Sequence, residues 1–96
     1  MNIPDHLLSF NANESGDAVS VHADRAGLEF LRNAIDTLLR KLDEGLCDHE
    51  HLRSNAWAGI ELSETMLASE AASGNTTVHH LEILAWTQEW KEKHGL

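Results

Sequence analysis

One long amphipathic helix is the feature that most constrains the fold of this chain. Six apolar side chains recur at steps of three and four residues, which places them on one stripe of a helix with 3.6 residues per turn. Asp24 is a good N-cap for a helical body over Arg25–Glu44, and Gly45 can take the positive φ that often follows a helix. A sheet lying against the stripe would bury it. The stripe consists of Leu28, Leu31, Ile35, Leu38, Leu39 and Leu42.

A β-hairpin is predicted before this helix. Leu8 and Phe10 alternate with polar neighbours, and Val19, Val21 and Ala23 do the same after the segment NESGD. Alternation with a period of two is typical of a strand, and the composition of NESGD is typical of a turn. The hairpin is therefore expected to lead directly into the helix.

Two further strands are predicted after the helix. The segment CDHEHLR, residues 47–53, alternates weakly, and residues 78–86 are rich in β-forming side chains. Residues 87–96 indicate a short frayed helix or a loose end. The sequence therefore predicts one domain, residues 1–96, of the α+β class. Its fold is a single antiparallel sheet in β-β-α-β-β order with the long helix packed across it.

Charge and composition narrow the classes of partner. The chain has 16 acidic and 7 basic side chains, a formal net charge of -9. Such a surface repels phosphates and anionic lipid, so we expect no direct nucleic-acid or membrane binding; a basic partner or simple solubility would explain the charge. No apolar run approaches the ~20 residues that span a bilayer, and no signal-peptide pattern is present. Cys47 has no second cysteine to pair with, which fits a cytoplasmic protein.

Histidines are the candidates for chemistry. His49 and His51 would share one strand face with Cys47, and His79 or His80 would approach from a neighbouring strand. Imidazole and thiolate are zinc ligands, so this cluster supports an alternative function as a small metal-binding protein or metal-dependent enzyme. Against catalysis, a chain of 96 residues has little volume for a shaped cavity, and the sequence contains no Cys-x-x-Cys or His-Glu-x-x-His motif.

Polar pairing between strands is the preferred explanation of these histidines. If residues 47–53 and 78–86 are neighbouring strands, the imidazole rings would meet carboxylates such as those of Glu50 or Glu82. Cys47 lacks a well-placed base, and no Gly-x-Ser-x-Gly turn is present to expose a serine nucleophile. We therefore predict no catalytic residue, no cofactor and no bound metal.

Four segments of the chain share a pattern with a known family. HEHL, WAGIEL and NTTVHHLEILAW resemble the immunity protein 32 family of bacterial polymorphic toxin systems, and ADRAGLEFL is similar to the start of that family's long helix. The likeness covers about residues 23–86, and Ala58 stands where the pattern has the first of two glycines. The matching positions are His49, His51 and Leu52; Trp57, Gly59, Glu61 and Leu62; and Asn75, His79, His80 and Trp86.

The resemblance implies an inhibitor that is not an enzyme and that neutralises a cognate toxin domain by tight binding in the producing cell. A basic nuclease would suit the acidic surface, and a homodimer is left open. We predict toxin contacts at the acidic helix exit with an aromatic anchor; a solvated helix end and buried tryptophans are the alternative. Phe30 is not part of the leucine stripe. If it does not contact the toxin, it is expected to lie under a loop. The predicted toxin-contact residues are Asp43, Glu44, Asp48, Glu50, Trp57 and Phe30.

Overall fold

A computed structural model describes residues 5–96 of the chain. It confirms the α+β class, the antiparallel pairing and the long helix, but it contains two sheets. The single sheet and the β-β-α-β-β order were wrong, because an additional short helix and strand lie before the last strand. In chain order the elements are β1 (Leu8–Ala12), β2 (Val19–Ala23), α1 (Arg25–Asp43), β3 (Asp48–Arg53), a 3₁₀ turn (Asn55–Trp57), α2 (Ala68–Ala72), β4 (Thr76–Thr77), β5 (His80–Ala85) and α3 (Gln88–Lys93).

The two sheets are separate because the last extended segment changes partner along its length. The three-stranded sheet has the order β2-β1-β4, and the two-stranded sheet pairs β3 with β5. Just after β4, the backbone N–H of Val78 donates to the carbonyl of Phe10 at 2.8 Å. One residue later, the carbonyl of His79 accepts from the N–H of Ser54 at 2.9 Å. The stretch predicted as one strand therefore belongs to both sheets in turn.

Helix α1 begins and ends close to the predicted residues. The side chain of Asp24 accepts a hydrogen bond from the N–H of Gly27 at 2.8 Å, and this bond lowers the pKa of Asp24. At the other end Gly45 has a φ of 75°, and the N–H of Leu46 donates back to the carbonyl of Lys41 at 2.9 Å. Local capping chemistry therefore sets both ends of the helix, as the sequence predicts.

The buried face of α1 is turned away from the centre of the leucine stripe. Leu38 is buried, and Phe30 and Leu31 pack against the core, where the Phe30 ring stacks on His6 with centroids 4.9 Å apart. Phe30, which the sequence placed off the leucine stripe and under a loop or at a toxin contact, packs against the core because two narrow sheets cover only one side of the stripe. The uncovered members of the stripe are Leu28, Ile35 and Leu39.

The main core lies where α1 meets both sheets. Its fully or nearly buried members are Leu8 and Phe10 from β1, Leu52 from β3, and Leu62 from the loop after the 3₁₀ turn. Burial of apolar surface contributes most of the favourable free energy of folding, so these four side chains hold the two sheets together. Within residues 5–96 no helix has the length and apolar character to cross a bilayer.

A polar network fixes the second face of β1. Asn11 is buried and its side-chain amide donates to the carboxylate of Glu70 at 3.2 Å, while His22 Nε2 lies 2.9 Å from the same carboxylate. The N–H of Leu67 donates to Glu70 as well, and this bond, followed by the contact with His22, lowers the pKa of Glu70. The network anchors α2 to the hairpin, so both faces of β1 are covered.

The turn after β3 contains a strained residue. Ala58 has a φ of 64°, in the left-handed region that favours glycine, at the position where the sequence pattern described above has glycine. The backbone N–H of Ala58 donates to the carbonyl of Asn55 at 3.0 Å, so the tight turn forms despite the side chain. Alanine in this conformation costs about 1–2 kcal/mol.

We expect Ala58→Gly to raise the free energy of unfolding by about 0.5–1 kcal/mol. Glycine removes the strain, and its greater freedom in the unfolded chain offsets about 0.4–1 kcal/mol of the gain. Urea denaturation measures the change. Ala56→Gly is the matched control, because Ala56 is exposed in the same turn and does not have a positive φ, so it should be slightly destabilising. Equal effects of the two substitutions would contradict this explanation.

Candidate functional site

The two-stranded sheet presents a polar outer face. His49 and His51 project from β3 on the side opposite Leu52, which is buried in the core. In the antiparallel register His51 is directly opposite Glu82, and Arg53 is opposite His80, so these β5 side chains share that face. The pairing of the two segments, which the preferred explanation of the histidines supposed, is observed. We use the term outer face for His49, His51, His80, Glu82 and the adjacent Trp57.

His51 contacts three other side chains of the outer face. Its Nδ1 lies 2.7 Å from Nε2 of His80, and its Nε2 lies 3.3 Å from a carboxylate oxygen of Glu82. The ring of His49 meets the ring of His51 edge to face, with centroids 4.7 Å apart. The predicted contact between a histidine and an acidic residue across the sheet is therefore confirmed for His51 and Glu82.

Two imidazoles and one carboxylate on the outer face have the arrangement of a metal-ligand set. His49, His51 and Glu82 each offer one ligand atom, and these atoms lie within 4.8 Å of one another. Sequence reasoning named Glu82 only as a pairing partner. The direct register opposite His51 is the signal that adds it to the ligand set.

Cys47 and His79, which the sequence grouped with this cluster, have other contacts. The backbone N–H of Thr87 donates to the sulfur of Cys47 at 3.4 Å. Nδ1 of His79 is 2.7 Å from the hydroxyl of buried Ser54 and 3.3 Å from the carboxylate of Glu64. His79 therefore holds the turn after β3 to the start of β5.

Trp57 borders the outer face and is 56% exposed. Its ring centroid lies 6.0 Å from that of His80 and 6.4 Å from that of His79, and the rings are nearly parallel. The expectation that small domains bury such a side chain does not hold here. Trp86 is also partly exposed and packs beside Trp90 of α3, with centroids 5.7 Å apart. The indole of Trp57 thus stacks on the rings of His79 and His80, and more than half of its surface is exposed to solvent.

The acidic residues predicted to contact a toxin divide between two places. Asp43 and Glu44 are exposed at the end of α1, and the carboxylate of Asp48 is 4.0 Å from Nζ of Lys41 in the last helical turn. These three residues lie at the helix exit, as predicted. Glu50 alternates with the histidines of β3 and is half-buried, on the face turned away from them.

Residues of the WAGIEL segment stabilise the turn that carries Trp57. The carboxylate of Glu61 accepts from the N–H of Arg53 and from the N–H of Ile60, each at 3.0 Å. Gly59 is buried, and a Cβ there would overlap the backbone and side chain of Arg53. Folding alone explains Glu61 and Gly59. Folding does not require the exposed surface of Trp57.

An open cleft of about 290 Å³ adjoins the outer face. A second, of about 580 Å³, lies between the end of β2 and the first turns of α1. The first is lined by Cys47, Asp48, His49, Leu84, Ala85 and Trp86. The second is lined by Ala23, Asp24, Arg25, Leu28, Glu29 and Arg32.

The family model for immunity protein 32 matches residues 18–81, two thirds of the chain. The chain belongs to the immunity protein 32 family. The family resemblance predicted from the sequence is therefore confirmed. No curated protein and no solved structure matched the chain. The matched range includes α1, β3 and the turn with Trp57, and it ends one residue before Glu82.

Proposed function

We propose that this protein neutralises a cognate bacterial toxin by tight binding, without catalysis, in the cytoplasm of the cell that makes the toxin. Membership of the immunity protein 32 family carries the proposal. The net charge of -9 supports a basic toxin domain, such as a nuclease, as the partner. Opposite charge accelerates the encounter of two proteins and disfavours wrong partners.

The contact surface that we propose extends from the helix exit to Trp57. Strand β3 separates these two regions and spans about 17 Å at ~3.3 Å per residue. A surface of that length suits a typical interface of about 800 Å² on each partner. Asp43, Glu44 and Asp48 supply negative charge at one end, and Trp57 supplies an exposed aromatic anchor at the other.

Trp57 is the residue of this surface whose loss we expect to matter most for binding. Tryptophan is enriched among the side chains that dominate protein interfaces, because a large rigid ring buries much area at little cost in conformational entropy. The rings of His79 and His80 already hold this indole in place. Phe30 and Glu50, also predicted as contacts, offer less surface, since both are partly buried within the fold.

Co-expression with the toxin domain encoded beside this gene is expected to restore growth of the host cell, and the two purified proteins should form a stable complex. Trp57→Ala should weaken the complex about 30-fold, since truncating an aromatic anchor that dominates an interface costs about 2 kcal/mol or more. Calorimetric titration of the purified pair measures this change.

Trp90→Ala is the matched control, because Trp90 is a similarly exposed tryptophan on α3, outside the matched range. Its complex should retain the affinity of the unsubstituted protein. Cell death despite co-expression, together with no complex in vitro, would overturn the proposed function. Equal affinity of the two tryptophan variants would overturn the assignment of Trp57 while leaving the function in place.

A further inference from the structure

We propose that the outer face binds one divalent transition-metal ion, of the zinc and nickel class, through His49, His51 and Glu82. The ligand atoms of these side chains lie within 4.8 Å of one another. Zinc bonds to imidazole nitrogen and carboxylate oxygen at about 2.0–2.2 Å, so two ligands of one tetrahedral ion are about 3.4 Å apart. Rotations of these partly exposed side chains would close this difference. A metal site goes beyond toxin binding and does not depend on it.

Paired backbone, rather than a mobile loop, holds the three ligands in position. His49 and His51 are two residues apart on β3, so they project from the same side. Glu82 is directly opposite His51 in the antiparallel register. Side chains opposite each other in such a pair have Cβ atoms about 4.5–5.5 Å apart, which suits a shared ion. Two imidazoles with one carboxylate favour zinc and nickel over magnesium and calcium, which prefer oxygen ligands.

His80 is a positioning residue for this site. Its Nε2 lies 2.7 Å from Nδ1 of His51, while Nε2 of His51 lies towards Glu82 at 3.3 Å. When Nε2 of His51 holds an ion, its Nδ1 carries the ring proton and donates to His80. A hydrogen bond of this kind fixes the tautomer and orientation of a ligating histidine.

The site leaves part of the coordination sphere open. The ligand side chains are partly exposed, from 31% for His51 to 50% for His49. Three protein ligands leave the fourth position of a tetrahedral ion for water or for a donor atom from another molecule. Trp57 lies beside the positioning residue, with its ring 6.0 Å from that of His80.

The test uses the full chain without an affinity tag, stripped of metal with a chelator. Titration with zinc chloride, followed by calorimetry, should show one saturable equivalent, and magnesium chloride should show none. His49→Ala should lower the affinity for zinc at least 30-fold, and Glu82→Gln about tenfold. His49 is half exposed, so its replacement should leave the far-ultraviolet circular dichroism unchanged.

Cobalt chloride provides a spectroscopic readout for His80. His80→Ala should keep one equivalent of cobalt and its visible absorption band but lower the affinity about tenfold, whereas Glu82→Gln should change the band. His94→Ala is the matched control. His94 is exposed, follows β5 and α3 in the sequence, and stacks on Trp90 instead of belonging to the outer face. Absence of a saturable equivalent, or affinity in His49→Ala equal to that in His94→Ala, would overturn the proposal.

Discussion

Leu62→Ala should lower the free energy of unfolding by about 3 kcal/mol. The side chain of Leu62 is fully buried and contacts the cluster formed by Leu8, Phe10 and Leu52. Replacing it with alanine loses the transfer free energy of the removed carbons and leaves a cavity that the neighbours fill only in part. Because Leu62 joins the two sheets at their meeting point, little relaxation is expected. Urea denaturation at 25 °C measures the loss.

Ile60→Ala is the matched control for this substitution. Ile60 precedes Leu62 by two residues in the same loop, but its side chain is 54% exposed. Truncating it removes little buried surface, so the free energy of unfolding should change by less than about 1 kcal/mol. Similar losses for the two variants would show that the loop, rather than the burial of Leu62, sets the stability.

Local patterns predicted the elements that local physics controls. The ends of α1 follow from Asp24 and Gly45, whose capping roles depend only on residues within a turn of them. The hairpin before α1 followed from alternation with a period of two on both sides of a turn segment. In each case a few neighbouring side chains determine the structure.

Long-range contacts determined what the sequence did not predict. The division into two sheets depends on Val78 bonding to Phe10, 68 positions earlier, and no local signal marks that partner. Leu62 is a central core residue in a loop without periodicity. Likewise, Phe30 is partly buried because of where the sheets lie, although it is not part of the leucine stripe.

The sequence analysis predicted no bound metal, and it named the histidines of the outer face only as the basis of an alternative function. The sequence indicated His49 and His51 on one strand face, and the structure agrees. It grouped them with Cys47, whereas the register brings Glu82 to the same face. The exposure of Trp57 could not be read from its type, because large apolar side chains are buried in most domains of this size.

The second large effect concerns the turn that presents Trp57, and it depends on a glycine. Gly59→Ala should lower the free energy of unfolding by about 3 kcal/mol. A Cβ on Gly59 would overlap the carbonyl group and the Cβ of Arg53, and neither backbone can move away without breaking contacts. The N–H of Gly59 donates to the carbonyl of buried Ser54 at 2.8 Å, and the N–H of Leu62 donates to the carbonyl of Arg53 at 3.1 Å. Overpacking of this kind typically costs about 1–3 kcal/mol, and backbone overlap falls at the upper end.

Gly45→Ala separates this steric effect from the conformational preference of glycine. A Cβ on Gly45 meets no atom of residues 5–96 within 4 Å, but the φ of 75° disfavours alanine, so a loss of about 1 kcal/mol is expected. Gly59 does not have a positive φ, so its larger loss would come from overlap with Arg53 alone. Urea denaturation of both variants gives the comparison. If Gly59→Ala lost no more than Gly45→Ala, the turn would be soft, and Trp57 would lack the rigid support that a binding anchor needs.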